Sequence, residues 1–262
     1  MCYEDKDRPP APPVTAGEAR TEDLVLTAAD GNRFAAFAAE PSAPARSQII
    51  IYPDVRGLHG FYKDLALRFA EVGIRAVAFD YFGRTAGLTA RDDSFEFMPH
   101  VQQLTAAHVF ADAQAALEYL GQGKEGDSAP QAVFIVGFCM GGSLSLLSAT
   151  QHSSLIAHHY RLGGVIAFYA GMSRDFGGYG NVLDKATEVK RPVLGLFGGA
   201  DQGIPAAQVE ELDSRLDEAG VPHEIVIYPD APHSFFDRKA TEYAEASADA
   251  WRRMLAWVEK YS

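Results

Sequence analysis

Residues 133–147 read VFIVGFCMGGSLSLL. A solid apolar run ends in Gly-Phe-Cys-Met-Gly-Gly, and a second apolar run follows at once. This is the pattern of a buried strand passing through a tight turn directly into a helix, and it puts Cys139 in the turn. Upstream and downstream the same alternation continues. SQIIIYP (47–53), RAVAFDY (75–81), GGVIAFYA (163–170), RPVLGLFGG (191–199) and HEIVIYP (223–229) are short apolar runs that read as further strands. Their unbroken apolar character suits strands buried on both faces, as in a parallel sheet. Helical spacing marks 61–72, roughly 100–121, 142–151, 205–219 and 240–260; in the last, Tyr243, Ala246, Ala250, Met254, Trp257 and Val258 share one face. DLVLTAADGNRFAAFAAEP reads as two strands joined at Asp30-Gly31-Asn32, a hairpin turn. Strands alternating with helices through right-handed crossovers give an α/β fold, a mostly parallel sheet with helices on both faces. Residues 1–20, rich in Pro, Ala and charge, are expected to form an irregular N-terminal arm, and 21–262 a single domain.

Composition narrows the function classes. A chain of 262 residues with 47% hydrophobic residues, 24 Gly and 14 Pro can bury one large core. A net charge of −12 disfavours nucleic acid and anionic membrane surfaces, which need clustered Lys and Arg. The two cysteines, Cys2 and Cys139, cannot make a disulfide framework, and a free thiol suits a reducing compartment. No apolar run approaches the ~18 residues of a membrane span, and MCYEDKDRPPAPP lacks the apolar core of a secretory signal. The expectation is a cytoplasmic protein that acts on a small molecule.

In an open α/β sheet, functional groups gather beyond the carboxyl ends of the strands. Asp54, Val55 and Arg56 follow the run 47–53, Gly83 and Arg84 follow 75–81, and Cys139 follows 132–137. Asp201 follows 191–199 and His233 follows 223–229. Gly137-Phe138-Cys139-Met140-Gly141 fits the G-x-nucleophile-x-G turn, in which side chains two residues either side would collide with the strained backbone. A helix starting there aims its positive end at the sulfur, favouring a thiolate. The Met140 N–H is the expected first oxyanion donor, and the loop after 47–53 is expected to give the second from the Val55 N–H. The order Cys139, Asp201, His233 is nucleophile, acid, histidine, the order of α/β-hydrolases. A lone G-x-C-x-G is also compatible with a small buried cysteine, but the acid and histidine at strand ends favour the nucleophile. For the other histidines, His59, His100, His108, His152, His158, His159 and His223, no partner pattern is visible. No H-E-x-x-H, H-x-x-E-H or C-x-x-C spacing suggests a metal. Gly198 and Gly199 read as turn residues, and FEFM (95–98) as core or pocket wall.

With these motifs together, G-F-C-M-G-G (137–142), D-Y-F-G-R (80–84), G-G-A-D followed by Ile204-Pro205, and A-P-H-S-F (231–235), the chain resembles the dienelactone hydrolase (carboxymethylenebutenolidase-like) family from about residue 22 onward. The resemblance implies an α/β-hydrolase fold and a Cys139-Asp201-His233 triad. It further implies hydrolysis of a small lactone or ester through an acyl-enzyme, without metal or cofactor. It also implies that Arg84 holds a substrate carboxylate and that Asp54, where the family carries glutamate, poises the thiol. Arg56 stands where the family is usually apolar and adds either a second substrate-binding charge or a solvated loop residue. The family's second arginine is missing: position 237 is Asp, followed by Arg238. Two other readings are a general carboxylesterase or thioesterase with no carboxylate requirement, and a non-catalytic ligand-binding scaffold of the same fold.

Overall fold

The computed structural model describes residues 7–14, 17–121, 131–155 and 161–262. Eight strands run β1 Ala19–Thr27, β2 Arg33–Pro41, β3 Ser47–Tyr52, β4 Ile74–Phe79, β5 Val133–Phe138, β6 Leu162–Phe168, β7 Val193–Gly198 and β8 His223–Tyr228. They form one sheet in the order β1-β2-β4-β3-β5-β6-β7-β8. β1 pairs antiparallel with β2, and β2 antiparallel with β4; every later pairing is parallel. Strands β3, β5, β6 and β7 are buried at every residue, which explains their unbroken apolar sequences. At the edges, β1 and β8 are partly exposed. The hairpin turn lies at Asp30–Asn32: Gly31 adopts φ 85°, and the Asn32 N–H donates to Asp30 Oδ1 at 3.1 Å.

The helices are α1 Gly60–Glu71, α2 Gly83–Ala86, α3 Met98–Val101, α4 Ala106–Gly121, α5 Met140–Ser148, α6 Val182–Lys185, α7 Ala206–Ala219 and α8 Ala244–Tyr261. One face of the sheet carries α1 and α8, joined through Phe69 and Trp251 with ring centroids 4.9 Å apart. The opposite face carries α4, α5, α6 and α7, which pack in sequence beside one another. This sheet order and helix placement are those of the α/β-hydrolase fold.

Three differences from the sequence reading have local causes. The helix expected over 100–121 is split, because Thr105 caps α4 with its Oγ1 accepting the His108 N–H, while the Ala106 N–H is turned toward Phe176 O. The helix expected from 142 starts at Met140, since the nucleophile turn itself opens it. The arm ends two residues early, at the start of β1. Its described part lies on the α1/α8 face, where Trp251 Nε1 donates to Pro10 O (2.9 Å) and Arg8 pairs with Asp64 (3.1 Å). Cys2, His158 and His159 lie outside the described residues.

Candidate active site

Cys139 sits between β5 and α5 at φ 54°, ψ −113°. A side chain in this region is strained, and the turn survives because its neighbours make room. A Cβ on Gly137 would lie 2.0 Å from Gly141 O, and one on Gly141 would lie 2.2 Å from Tyr52 O and 2.3 Å from Pro53 O. Those are backbone atoms with nowhere to go, so only glycine fits. A Cβ on Gly142 would likewise lie 2.6 Å from Phe168 O.

The same contacts bring the loop ends together. Gly141 rests on the end of β3, and the Cys139 N–H donates to Phe168 O at 3.1 Å. Tyr169, the next residue, lies ring to ring with His233 at 4.7 Å. Among the described residues only Cys139, Tyr169 and Ser234 are non-glycine with positive φ, and Ser234 directly follows His233. Backbone strain is thus concentrated at one place on the carboxyl edge, as is common at functional sites.

His233 Nδ1 lies 2.6 Å from Asp201 Oδ2. The Asp201 side chain is almost fully buried, whereas that of His233 is 34% exposed. Asp201 Oδ1 accepts the Gly203 N–H at 2.8 Å, which fixes the carboxylate plane. A buried, oriented acid behind a half-exposed imidazole selects the tautomer with its proton on Nδ1 and directs proton exchange to Nε2.

The loop after β3 is tightly held. The Asp54 N–H donates to Tyr62 Oη (3.0 Å), Tyr81 Oη donates to Pro53 O (2.8 Å), and Asp54 Oδ1 accepts the Arg56 N–H (2.9 Å). Further on, Asp80 accepts the N–H groups of Leu58 and Phe82 and takes two bonds from Arg91, at 2.8 and 3.2 Å. Val55 is therefore presented from a fixed frame. No acceptor for the backbone N–H of Val55 or of Met140 is found among the described residues. Asp54 is fully buried within this frame.

Neither arginine expected to bind substrate has an unmatched charge. Arg84 donates to Asp112 Oδ2 (2.5 Å) and to Asp30 Oδ2 (2.6 Å), and Asn32 adds a bond to Asp112 Oδ1 (2.9 Å). Burial pushes the Asp112 carboxyl up to about 6, with Arg84 opposing the shift. Arg84 thus ties α2, α4 and the hairpin turn together through two carboxylates of the chain. Arg56 is buried rather than solvated and pairs with Asp93.

Several residues of the site were not legible as such. Asp237, noted only as a missing arginine, is buried, accepts a bond from Tyr169 Oη at 2.6 Å and takes the Arg238 N–H. Its burial pushes the carboxyl up to about 8. His59, without a visible partner in the sequence, is a buried cap whose Nδ1 accepts the Phe61 N–H at 3.2 Å at the start of α1. Phe95 stacks on His100 at 5.2 Å and on the Arg91 guanidinium at 4.5 Å, so this stretch is wall material. Two concave patches elsewhere, one lined by Arg46, Ile74 and Ser262 and one by Tyr228, Asp230 and Arg252, contain none of these groups.

Comparison with known proteins gives a consistent result. The profile of the dienelactone hydrolase family matches residues 34–262. A Methylorubrum extorquens protein named "Putative carboxymethylenebutenolidase" is 31% identical over 224 residues, covering 81% of this chain and 72% of its own. One of the same name from Salmonella typhimurium is 30% identical over 97% of this chain and 94% of its own. The crystal structure of a "Putative Dienelactone Hydrolase" from Klebsiella pneumoniae superposes with a TM-score of 0.77 at 27% identity. That superposition covers 94% of this chain and all of the other. Sheet order, strained cysteine turn and full-length similarity agree, and the chain belongs to the dienelactone hydrolase family.

Proposed function

We propose that the protein hydrolyses a small lactone or ester with Cys139 as nucleophile, Asp201 and His233 as the acid–base pair, and no metal or cofactor. The observation that carries this reading is the 2.6 Å Asp201–His233 contact on the same sheet edge as a cysteine held at φ 54°. His233 Nε2 takes the Cys139 thiol proton, the thiolate attacks the carbonyl carbon, and the oxyanion accepts the Met140 and Val55 N–H groups. Collapse of the tetrahedral intermediate expels the alkoxide or enolate, which His233 protonates through Nε2. His233 then takes a proton from water, the hydroxide attacks the thioester, and the thiolate leaves. Because a thiolate is itself a good leaving group, the forward step favours esters whose alcohol is acidic. Asp54 is proposed to poise the thiol from the adjoining loop, where it is buried and accepts the Arg56 N–H. In this reading the partner is a small-molecule ester or lactone, with no part for nucleic acid or membrane; no helix among the described residues is long and apolar enough to cross a bilayer.

The test is steady-state hydrolysis of 4-nitrophenyl acetate and a five-membered enol lactone. Cys139→Ala is expected to lose turnover of both, and rapid mixing of the wild type is expected to show a burst of 4-nitrophenol. Undiminished turnover by Cys139→Ala would falsify the assignment. A general esterase with no carboxylate requirement is the second reading, and the observation favouring it is the full neutralisation of Arg84.

A further inference from the structure

In the proposed reaction His233 serves first the Cys139 thiol and then the leaving group and water, and Nε2 must keep its aim through both steps. Asp201 holds the imidazole at Nδ1 through one 2.6 Å contact, which by itself does not fix the rotation of the ring about that axis. The ring lying against the imidazole is Tyr169, centroid to centroid 4.7 Å and tilted by 52°. Tyr169 has φ 35°, a strained backbone for an aromatic residue, so its neighbours must hold it there. Its N–H donates to Leu196 O at 2.8 Å, and its Oη donates to Asp237 Oδ2 at 2.6 Å. Phe235 packs edge-on to the same ring at 5.8 Å. Phe235 and Asp237 both belong to the loop that carries His233.

That loop is shaped to present the acceptor. Ser234 takes φ 64°, and its carbonyl accepts the N–H groups of Asp237 and Lys239, each at 3.2 Å, so the chain turns back just past His233. Asp237 Oδ1 accepts the Arg238 N–H, which directs Oδ2 to the tyrosine. Tyr169 and Asp237 are both buried, so water does not compete for their bond. The bond needs no charge: burial pushes the Asp237 carboxyl up to about 8, and a neutral acid still pairs with a tyrosine hydroxyl. The contacts close on themselves, from His233 to Tyr169, from Tyr169 to Asp237, and from Asp237 through the turn to His233. The acid stands where the family resemblance implies an arginine, so this grip is a feature of the present chain rather than of the pattern it resembles.

We infer that Tyr169 and Asp237 are positioning residues that fix the imidazole plane of His233, so that Nε2 stays directed at Cys139. This rests on the hydrolase reading above and adds to it the pair that orients its base. Three variants separate the parts: Tyr169→Phe removes Oη and keeps the ring, Asp237→Leu removes the acceptor, and Asp237→Asn keeps one. The first readout is hydrolysis of 4-nitrophenyl acetate, with kcat taken per active site as counted from the 4-nitrophenol burst. In Tyr169→Phe and Asp237→Leu kcat is expected to fall about tenfold with KM within about twofold, the effect of one lost hydrogen bond on proton transfer. Asp237→Asn is expected to recover most of the loss seen in Asp237→Leu. The double variant Tyr169→Phe/Asp237→Leu should lose no more than the weaker single one, as for two groups acting through one bond. The second readout needs no ester: alkylation of Cys139 by iodoacetamide at pH 7, in a Cys2→Ser background, reports whether the imidazole reaches the thiol. Its rate constant is expected to fall about tenfold in the same two variants and to recover in Asp237→Asn. An unchanged kcat or alkylation rate in Tyr169→Phe, or a loss in Asp237→Asn as large as in Asp237→Leu, overturns the assignment. Should the wild type hydrolyse no ester, the hydrolase reading fails by itself, and alkylation then judges the pair separately. Slowed alkylation in Tyr169→Phe supports it, and a rate equal to wild type overturns it.

Discussion

Asp237 offers a quantitative check on the electrostatics of the site. Its carboxyl is fully buried and pushed up to about 8 by desolvation, against an ordinary value of 3.8 in an unfolded chain. Between those values the folded protein holds a proton that the unfolded chain has released. Stability from this group is therefore complete below pH 3.8 and is lost as pH rises toward 8. While the difference is one full proton, stability falls by about 1.4 kcal/mol per pH unit, so from pH 5 to pH 7 Asp237 removes up to about 3 kcal/mol. Asp237→Asn mimics the neutral acid at nearly the same size and should lack this slope. Urea denaturation of both proteins at pH 5, 6 and 7 isolates the effect, because other titrating groups are common to both. The variant is expected to gain on the wild type steadily with pH. Parallel curves would mean that Asp237 is already ionised in the folded state, and the idea of a desolvated neutral acid behind Tyr169 would be wrong.

Two further substitutions test the frame around the nucleophile. Gly141→Ala puts a methyl 2.2 Å from Tyr52 O and 2.3 Å from Pro53 O. It should cost about 2–3 kcal/mol in thermal or urea melts and depress kcat, since relief requires the β3 loop to move away; a variant of wild-type stability and activity would contradict the packing argument. Arg91→Met strands the buried Asp80, which also anchors Leu58 and Phe82. A loss of about 3–5 kcal/mol is expected in urea denaturation, and a loss under 1 kcal/mol would show that the backbone N–H groups suffice to hold the carboxylate.

What could be read along the chain and what could not follows the range of the interactions. Apolar runs of strand length, helical spacing between them and a hairpin turn at Asp30–Asn32 are local patterns, and they specify the alternating α/β order. The pattern Gly137, Cys139 and Gly141 is equally local as a motif, although the collision that Gly141 avoids is with Tyr52 and Pro53 at the end of β3. Even Asp201 and His233, 32 positions apart, are legible because each stands just past a strand end and the fold brings those ends together. Sequence alone therefore determined the architecture and the three residues on which catalysis is proposed to rest. Charge pairing is a different matter. Arg84 meets Asp30 from 54 positions away and Tyr169 meets Asp237 from 68. No spacing rule encodes those meetings, which depend on how α2, α4 and the hairpin pack. Only the tertiary structure decides that Arg84 pairs with Asp30 and Asp112, that Asp237 is buried against a tyrosine, and that Arg174 reaches Met140. The reason is physical: a side chain's charge is fixed by its identity, whereas its availability depends on every group packed against it.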